Sequence, residues 1–224
     1  MTTTSPRRLV VVLGTATEIG KTWVTVGVLE TLRANGRSVA ARKPAQSFDA
    51  PVPDGASDPT DADLLAAASG AAPHEVCPAH RWYGVAMAPP MAADALGAPL
   101  ITADELLAEI VWPAGVDVGF VETAGGVRSP IAEDADCAGF AARLRPDLTL
   151  LVADAGLGTI NAVRLSIGAL DPASPAVVFL NRFDPHDEIH CRNRDWLRDR
   201  DGLTVLTDLA DLADLADLAE RCAR

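Results

Sequence analysis

Gly14, Gly20, Lys21 and Thr22 form the tightest group of residues in this chain able to do chemistry. They lie in Gly14-Thr-Ala-Thr-Glu-Ile-Gly20-Lys21-Thr22, after an apolar run and before a stretch of helical period. A glycine-rich loop between a strand and a helix cradles phosphate with backbone N–H groups and the helix N-terminus. In that chemistry the amides of Glu18, Ile19, Gly20, Lys21 and Thr22 hold the β-phosphate of a nucleotide. Lys21 reaches the β- and γ-phosphates, and the Thr22 hydroxyl ligates Mg²⁺. The spacing departs from the generic loop: five residues separate the two glycines, and Thr15 stands where the generic pattern has its first glycine.

A second chemical position is Glu122, which closes an apolar run. A nucleotidase needs a carboxylate for Mg²⁺ at such a strand end. His186 and His190 sit four residues apart, with Cys191 adjacent. That spacing suits a zinc pair, but Asp187 stands where a zincin has Glu, and no third ligand is evident. A surface segment is the expectation there. Cys77, Cys137, Cys191 and Cys222 are far apart, form no C-x-x-C pair, and are expected as reduced thiols.

The elements that must position these residues alternate. Residues 9–13 read as a buried parallel strand, apolar on both faces. Residues 21–35 read as a helix closed by Asn35-Gly36. A short strand at 39–41 precedes a loop over 44–60, which holds four of the sixteen prolines. Residues 61–69 form a helix ending at Gly70. Residues 71–100 are rich in Pro and Ala and give no clear period. Thr102 and Glu105 make a capping box that opens a helix. Strands follow at 116–121, 148–153 and 176–180, and helices at 134–143 and 159–170. This alternation predicts an α/β fold, a mostly parallel sheet with helices on both faces, and the phosphate loop makes it P-loop NTPase-like. No internal linker divides the chain, so 1–224 reads as a single domain, with frayed ends at about 1–7 and about 208–224.

Composition agrees with that class. Hydrophobic residues make up 49% of the 224 and charged residues 22%, which excludes a mostly disordered chain. The net charge of −12 argues against a general nucleic-acid or anionic-membrane binder. Any phosphate site must therefore be local. Arg7 and Arg8 precede an apolar run too short for a signal peptide. No run approaches the ~18 apolar residues of a membrane span, so a cytoplasmic location is expected. The tail repeats Asp-Leu-Ala four times over 208–219. In an α-helix a period of three drifts by about 60° per repeat, so these leucines are not expected to form one stripe. A short terminal helix is the expectation.

The variant phosphate loop resembles that of one family, the dethiobiotin synthetases, ATP-dependent enzymes of biotin synthesis. Four further segments resemble the family in order and spacing: Arg42-Lys43-Pro44-Ala-Gln-Ser47, Thr60-Asp61-Ala62, Val121-Glu122-Thr-Ala-Gly125-Gly126 and Leu157-Gly158-Thr-Ile-Asn161. The resemblance covers residues 9 to about 181. It implies MgATP as cosubstrate, with Thr22, Asp61 and Glu122 as metal ligands. Register against Gly70 selects Asp61 over its neighbours Asp58 and Asp63. It implies Lys43 and Lys21 as charge stabilisers, Thr17 and Ser47 as hydroxyl donors to substrate, and Gly125 at the nucleotide. Asn181 corresponds to the family's adenine-reading Asn, although Arg182 follows where the family often has Asp. Gly158, Thr159, Ile160 and Asn161 correspond to a turn that reaches the neighbouring subunit's substrate, implying a homodimer. The implied reaction joins CO₂ to 7,8-diaminononanoate. Ala16, Thr123 and Met91 depart from the family's pattern; Thr123 adds a Cβ where backbone is expected to approach phosphate. Alternatives are a homologue that binds nucleotide without this synthesis, a P-loop amide ligase, and a switch ATPase. A ligase of that kind usually carries a glutamine-hydrolysing domain, and the switch ATPases carry a lysine at the position of Ala16.

Overall fold

A computed structural model describes residues 5–49 and 58–214. Strand β1 (Arg8–Gly14) shows why the architecture is layered. Its side chains alternate between two faces. Val10 and Val12 enter one apolar core, and Val11 and Leu13 enter another. A strand buried on both faces must be covered on both.

The cover comes from the elements that follow. After β1 come α1 (Lys21–Ala34), β2 (Val39–Arg42), β3 (Gln46–Ser47), α2 (Asp61–Ser69) and α3 (Pro73–Val76). Then come β4 (Trp82–Tyr83), α4 (Pro89–Ala95), α5 (Ala103–Glu109) and β5 (Val118–Glu122). A hairpin of β6 (Pro130–Ala132) and β7 (Ala135–Asp136) leads into α6 (Cys137–Leu144), β8 (Leu148–Asp154) and α7 (Thr159–Ile167). The last are β9 (Ala176–Asn181), α8 (Glu188–Asp199) and β10 (Val205–Leu206). Val24, Val28 and Leu29 of α1 and Leu65 of α2 fill the first core. Leu106 of α5, Phe140 of α6 and Leu197 of α8 fill the second.

The central sheet has six strands in the order β10-β9-β8-β1-β5-β2. All of its pairs are parallel. The chain leaves β1 toward β2 and β5 on one side, then returns to β8, β9 and β10 on the other. β1 therefore stands at the switch point of the sheet, where the crevice beyond the strand ends is widest. Val12 pairs with Glu122 and Asp154 with Asn181. The register thus carries the ends of β1, β5, β8 and β9 to one edge.

Several expected elements change. The helix expected at 134–143 begins at Cys137, because 130–136 pair as a hairpin and the Asp136 side chain caps Gly139 N at 2.7 Å. The strand expected from 116 begins at Val118. Asp117 is turned out of it, accepting from Ser38 N at 3.0 Å. Gly119 is required within that strand, since a Cβ there would meet Trp112 at 2.7 Å and Pro6 at 2.8 Å. The helix expected over 159–170 ends at Ile167. Helix α8 lies where only a surface segment was expected.

The described residues nearest each end are anchored. Arg7 N donates to Val116 O at 3.1 Å. Residues Leu209–Ala213 form a 3₁₀ helix rather than an α-helix. A 3₁₀ helix has about 3.0 residues per turn, so a period-three repeat does place its leucines on one face. Leu212 is fully buried, and Leu209 packs against the same core beside Gly27 of α1. Leu215, Leu218 and Cys222 lie outside the described residues. Leu212→Ala is expected to lower unfolding free energy by about 2–4 kcal/mol, as a fully buried leucine does. Urea titration checks this; a loss below about 0.5 kcal/mol would show that the 3₁₀ turn is not part of the core.

Candidate active site

The loop after β1 turns sharply before α1. Glu18 has φ 58 and Gly20 has φ 91, both left-handed. Glycine takes that conformation without steric cost, and here it has a second reason. A Cβ on Gly20 would overlap the Asn181 Nδ2. Asn181 is itself fixed, donating from Nδ2 to Ile19 O at 2.9 Å.

Lys21 opens α1 and folds back under the loop. Its Nζ donates to Gly125 O at 2.8 Å and to Ala16 O at 3.2 Å. Burial, then the charge of Lys43, lowers its pKa, against the opposing pull of Glu122 and Asp61. Ala16 thus contributes through its carbonyl rather than its side chain.

Three oxygen-bearing side chains converge beside Lys21. Thr22 Oγ1 donates to Asp61 Oδ1 at 2.8 Å or to Glu122 Oε1 at 2.7 Å. Glu122 is 1% exposed, and its other oxygen accepts from Thr25 Oγ1 at 2.8 Å. Lys43 Nζ lies between the two carboxylates, 2.6 Å from Asp61 Oδ2 and 2.8 Å from Glu122 Oε1. Burial opposes the charged form of Lys43, but the Coulombic attraction and hydrogen bonds of Glu122 and Asp61 outweigh it and hold its pKa above the usual lysine value. The Asp61 carboxyl is shifted the other way: burial raises it, and Lys43 and Thr22 more than reverse that. Two carboxylates and a hydroxyl make an all-oxygen, hard donor set, which fits a Mg²⁺ ion completed by phosphate oxygens and water.

Local sequence explains why Asp61 faces this centre and Asp63 does not. Asp63 is occupied in a capping box, accepting from Thr60 N at 2.8 Å while Thr60 Oγ1 accepts from Asp63 N. Gln46 anchors the same turn, its Oε1 accepting from Ala62 N at 3.0 Å. Gln46 and Thr25 were not singled out in the sequence. Thr25 carried a signal, since it lies three residues after Thr22 on the same helix face.

A cavity of about 600 Å³ opens above these groups. Thr17, Glu18, Gly20, Lys21 and Thr22 line its phosphate-loop side. Lys43, Ser47, Asp61 and Gly125 line the rest with Phe48 and Met87. Ser47 Oγ donates to Met87 O at 2.6 Å. Ile19 is buried and presents only its backbone to the loop. Asn181 lies in a second cavity of about 530 Å³, which shares Gly20 with the first and adds Trp23, Phe183 and Asp208. Gly158, Thr159 and Ile160 line neither cavity, and Asn161 faces a third beside Thr17 and Gly126. Gly158 has φ 93 at the start of α7, and Leu157 before it is 93% exposed. The Thr159 hydroxyl is buried with no hydrogen-bond partner among the described residues.

One expectation is corrected here. Thr123 places no Cβ toward phosphate: it is fully buried, and its Oγ1 donates to Val12 O at 3.2 Å. The strand register turns its side chain back onto β1. Met91 is exposed on α4 and does not line the cavity. His190 Nδ1 accepts from Asp184 N at 3.0 Å, and no cluster of three His, Cys, Asp or Glu able to hold a metal occurs among the described residues. Cys77, Cys137 and Cys191 are free thiols. No helix among the described residues is long and apolar enough to cross a membrane.

Comparison with known proteins agrees with this geometry. A family model described as an AAA domain matches residues 8–219. The ATP-dependent dethiobiotin synthetase BioD of Anaeromyxobacter sp. (strain Fw109-5) is 38% identical over 161 residues, covering 71% of this chain and 69% of the relative. That of Haloferax mediterranei is 32% identical over 205 residues, covering 88% of this chain and 81% of the relative. Among solved structures, the signal recognition particle receptor FtsY from Elizabethkingia anophelis superposes with a TM-score of 0.53 at 13% identity, covering 99% of this chain and 67% of that one. That likeness concerns the fold alone. Sequence similarity across most of the chain, together with a phosphate loop facing Lys43, Asp61 and Glu122, places this protein in the ATP-dependent dethiobiotin synthetase family.

Proposed function

We propose that this chain is an ATP-dependent dethiobiotin synthetase that closes the ureido ring of dethiobiotin from 7,8-diaminononanoate and CO₂. The observation that carries the reading is Lys43, buried between Asp61 and Glu122 at the floor of a cavity whose opposite wall is the phosphate loop. One amine of the substrate adds CO₂ and loses a proton, giving a carbamate. A carbamate oxygen attacks the γ-phosphorus of ATP and ADP leaves, giving a carbamic–phosphoric anhydride. The second amine attacks the carbamate carbon, and phosphate departs with ring closure.

Each step moves negative charge, so the protein's task is neutralisation and in-line placement. Lys21 and the amides of 18–22 hold the ATP phosphates. Lys43 faces the anhydride oxygens, with its charge state secured by its two carboxylate partners. Thr17 and Ser47 donate to the carbamate, while Phe48 and Met87 give an apolar wall for the aliphatic chain. Thr22, Asp61 and Glu122 would hold Mg²⁺, which would supply neutralisation of phosphate charge. Asn181 reads the base from the adjoining cavity. Gly158, Thr159 and Ile160 stand apart from this chain's own cavity, while Asn161 adjoins it beside Thr17. With Leu157 exposed beside them, this supports a homodimer in which the turn at 158–161 completes the other subunit's site, binding the substrate's carboxylate at the start of α7.

Incubation of the pure protein with MgATP, bicarbonate and diaminononanoate, followed by mass spectrometry, is expected to yield dethiobiotin and ADP in equal amounts. ADP without dethiobiotin would assign a different acceptor to the same scaffold. Neither product, from a folded protein that binds MgATP, would leave a nucleotide-binding homologue and overturn the synthetase reading.

A further inference from the structure

Two consecutive residues at the end of β9 grip two consecutive peptide groups of the phosphate loop. Asn181 Nδ2 donates to the Ile19 carbonyl at 2.9 Å. Arg182 Nη2 donates to the Glu18 carbonyl at 3.0 Å. The other arm of the guanidinium, Nη1, meets Asp154 Oδ2 at 3.2 Å, at the end of β8. Asp154 is held in turn, because its Oδ1 accepts from Gly156 N at 2.8 Å.

Peptide geometry gives these contacts a consequence. In a planar trans peptide the carbonyl and the following N–H point in opposite directions. No cis peptide occurs among the described residues. A Glu18 carbonyl drawn outward to Arg182 therefore turns the Ile19 N–H inward. An Ile19 carbonyl drawn outward to Asn181 turns the Gly20 N–H the same way. Both amides find no acceptor among the described residues. They are the inner donors of the nest that receives a β-phosphate.

The arrangement needs holding. Glu18 is a non-glycine residue with φ 58, a conformation that carries a cost. Arg182 shares that conformation, with φ 57, which swings its side chain toward the loop. A planar fork can bond Asp154 and the Glu18 carbonyl together, whereas a lysine is a single point charge. The dethiobiotin synthetase pattern often has Asp after the strand-end Asn. An Asp here would face Asp154 and could donate nothing to a carbonyl.

We infer that Arg182 is a positioning residue for the phosphate loop: by clamping the Glu18 carbonyl against Asp154, it aims the Ile19 amide at the nucleotide's β-phosphate. The inference rests on the reading of this loop as the ATP phosphate site. It makes affinity for ligands carrying a β-phosphate depend on a side chain that also rims the cavity around Trp23 and Phe183. A role in holding the base would depend equally on every adenine nucleotide. A role in the nest depends on the phosphates.

Calorimetric titration of the full chain with MgATP, MgADP, AMP and inorganic tripolyphosphate separates the two. Arg182→Ala is expected to weaken ATP, ADP and tripolyphosphate by about tenfold, the worth of one charge-assisted hydrogen bond. AMP, which lacks the β-phosphate, stays within about twofold on the same reasoning. Arg182→Lys is expected to recover part of the loss, since it keeps a donor for the Glu18 carbonyl. Asp154→Asn is expected to weaken the same three ligands by a smaller factor, and it supplies the comparison if Arg182→Ala does not fold. Equal losses for AMP and ATP would overturn the inference in favour of base contact, as would unchanged ATP affinity. A wild-type chain that binds no ATP would overturn the functional reading and the role of Arg182 with it.

Discussion

Lys43→Ala is expected to lower kcat by about 10²–10³-fold while leaving the KM for ATP within a few-fold, the pattern of a group that stabilises charge formed only in the transition state. In the mechanism proposed above, ATP is held chiefly by the loop and by Lys21. Lys43 stands deeper, 2% exposed, with its Nζ between Asp61 and Glu122. The same burial makes the substitution costly to the fold. Glu122 loses its cation while remaining at the floor of the site. Breaking a buried pair from one side costs about 3–5 kcal/mol. The lower end applies here, because Thr22 and Thr25 still donate to the Glu122 carboxylate. Glu122→Gln in the Lys43→Ala background removes the stranded charge and should recover much of the stability, but none of the turnover. Steady-state rates and urea titrations on both variants separate the two effects. A folded Lys43→Ala enzyme with near-wild-type kcat would remove Lys43 from the mechanism.

How much of this was legible in the residues depended on the range of the interactions. The helix read over 61–69 is found as Asp61–Ser69, since both its signals are local: the Thr60 cap and the Gly70 stop. β1 was legible because a run of β-branched residues buried on both faces leaves few alternatives. The segment 71–100 was not, because alanine and proline carry little periodic signal. The short elements there are set by packing instead, with Ala92 and Ala93 fully buried in the second core. α8 was missed for the opposite reason. Its sequence is charged along most of its length, and only Asn193 and Leu197 are buried. The tail misled through its period. Three residues per repeat argues against an α-helical stripe, yet it is the repeat of the 3₁₀ turn that Leu209 and Leu212 adopt.

The site divides along the same line. Residue types at Lys21, Thr22 and Glu122 pointed to phosphate chemistry, and the family resemblance supplied Lys43 and the grouping. The contacts that make the group cohere are long-range. Asn181 and Ile19 meet across 162 positions, and Thr25 and Glu122 across 97. Only the strand order, with β9 and β8 on one side of β1 and β5 on the other, brings such pairs together. Thr123 shows how fine the division is. Its neighbour Glu122 was placed by its type at the end of an expected strand, whereas the direction of the Thr123 side chain depends on the register of β5 against β1.

Gly20→Ala is expected to weaken MgATP binding by at least about 10²-fold, because two independent costs fall on one residue. A left-handed alanine costs about 1–2 kcal/mol. Gly36→Ala measures that cost alone, since Gly36 has φ 75 and open space around it. That variant should lose about 1 kcal/mol of stability and keep its ATP affinity. At Gly20 the new Cβ also overlaps Asn181 Nδ2, so the amide must leave the Ile19 carbonyl. The peptide between Ile19 and Gly20 is then free to turn, and the Gly20 N–H no longer faces the phosphate. Adding Asn181→Ala to Gly20→Ala removes the overlap and should restore part of the stability. It should not restore affinity, because the grip on Ile19 is gone in either variant. The sign of that divergence is the test. Recovery of both stability and ATP affinity in the double variant would mean that Asn181 only obstructs the alanine, and that the loop holds its shape without it. Recovery of stability alone, with affinity for inorganic tripolyphosphate, which has no base, lost along with that for ATP, would show that the strand-end amide, far away in sequence, sets the direction of the phosphate loop's donors.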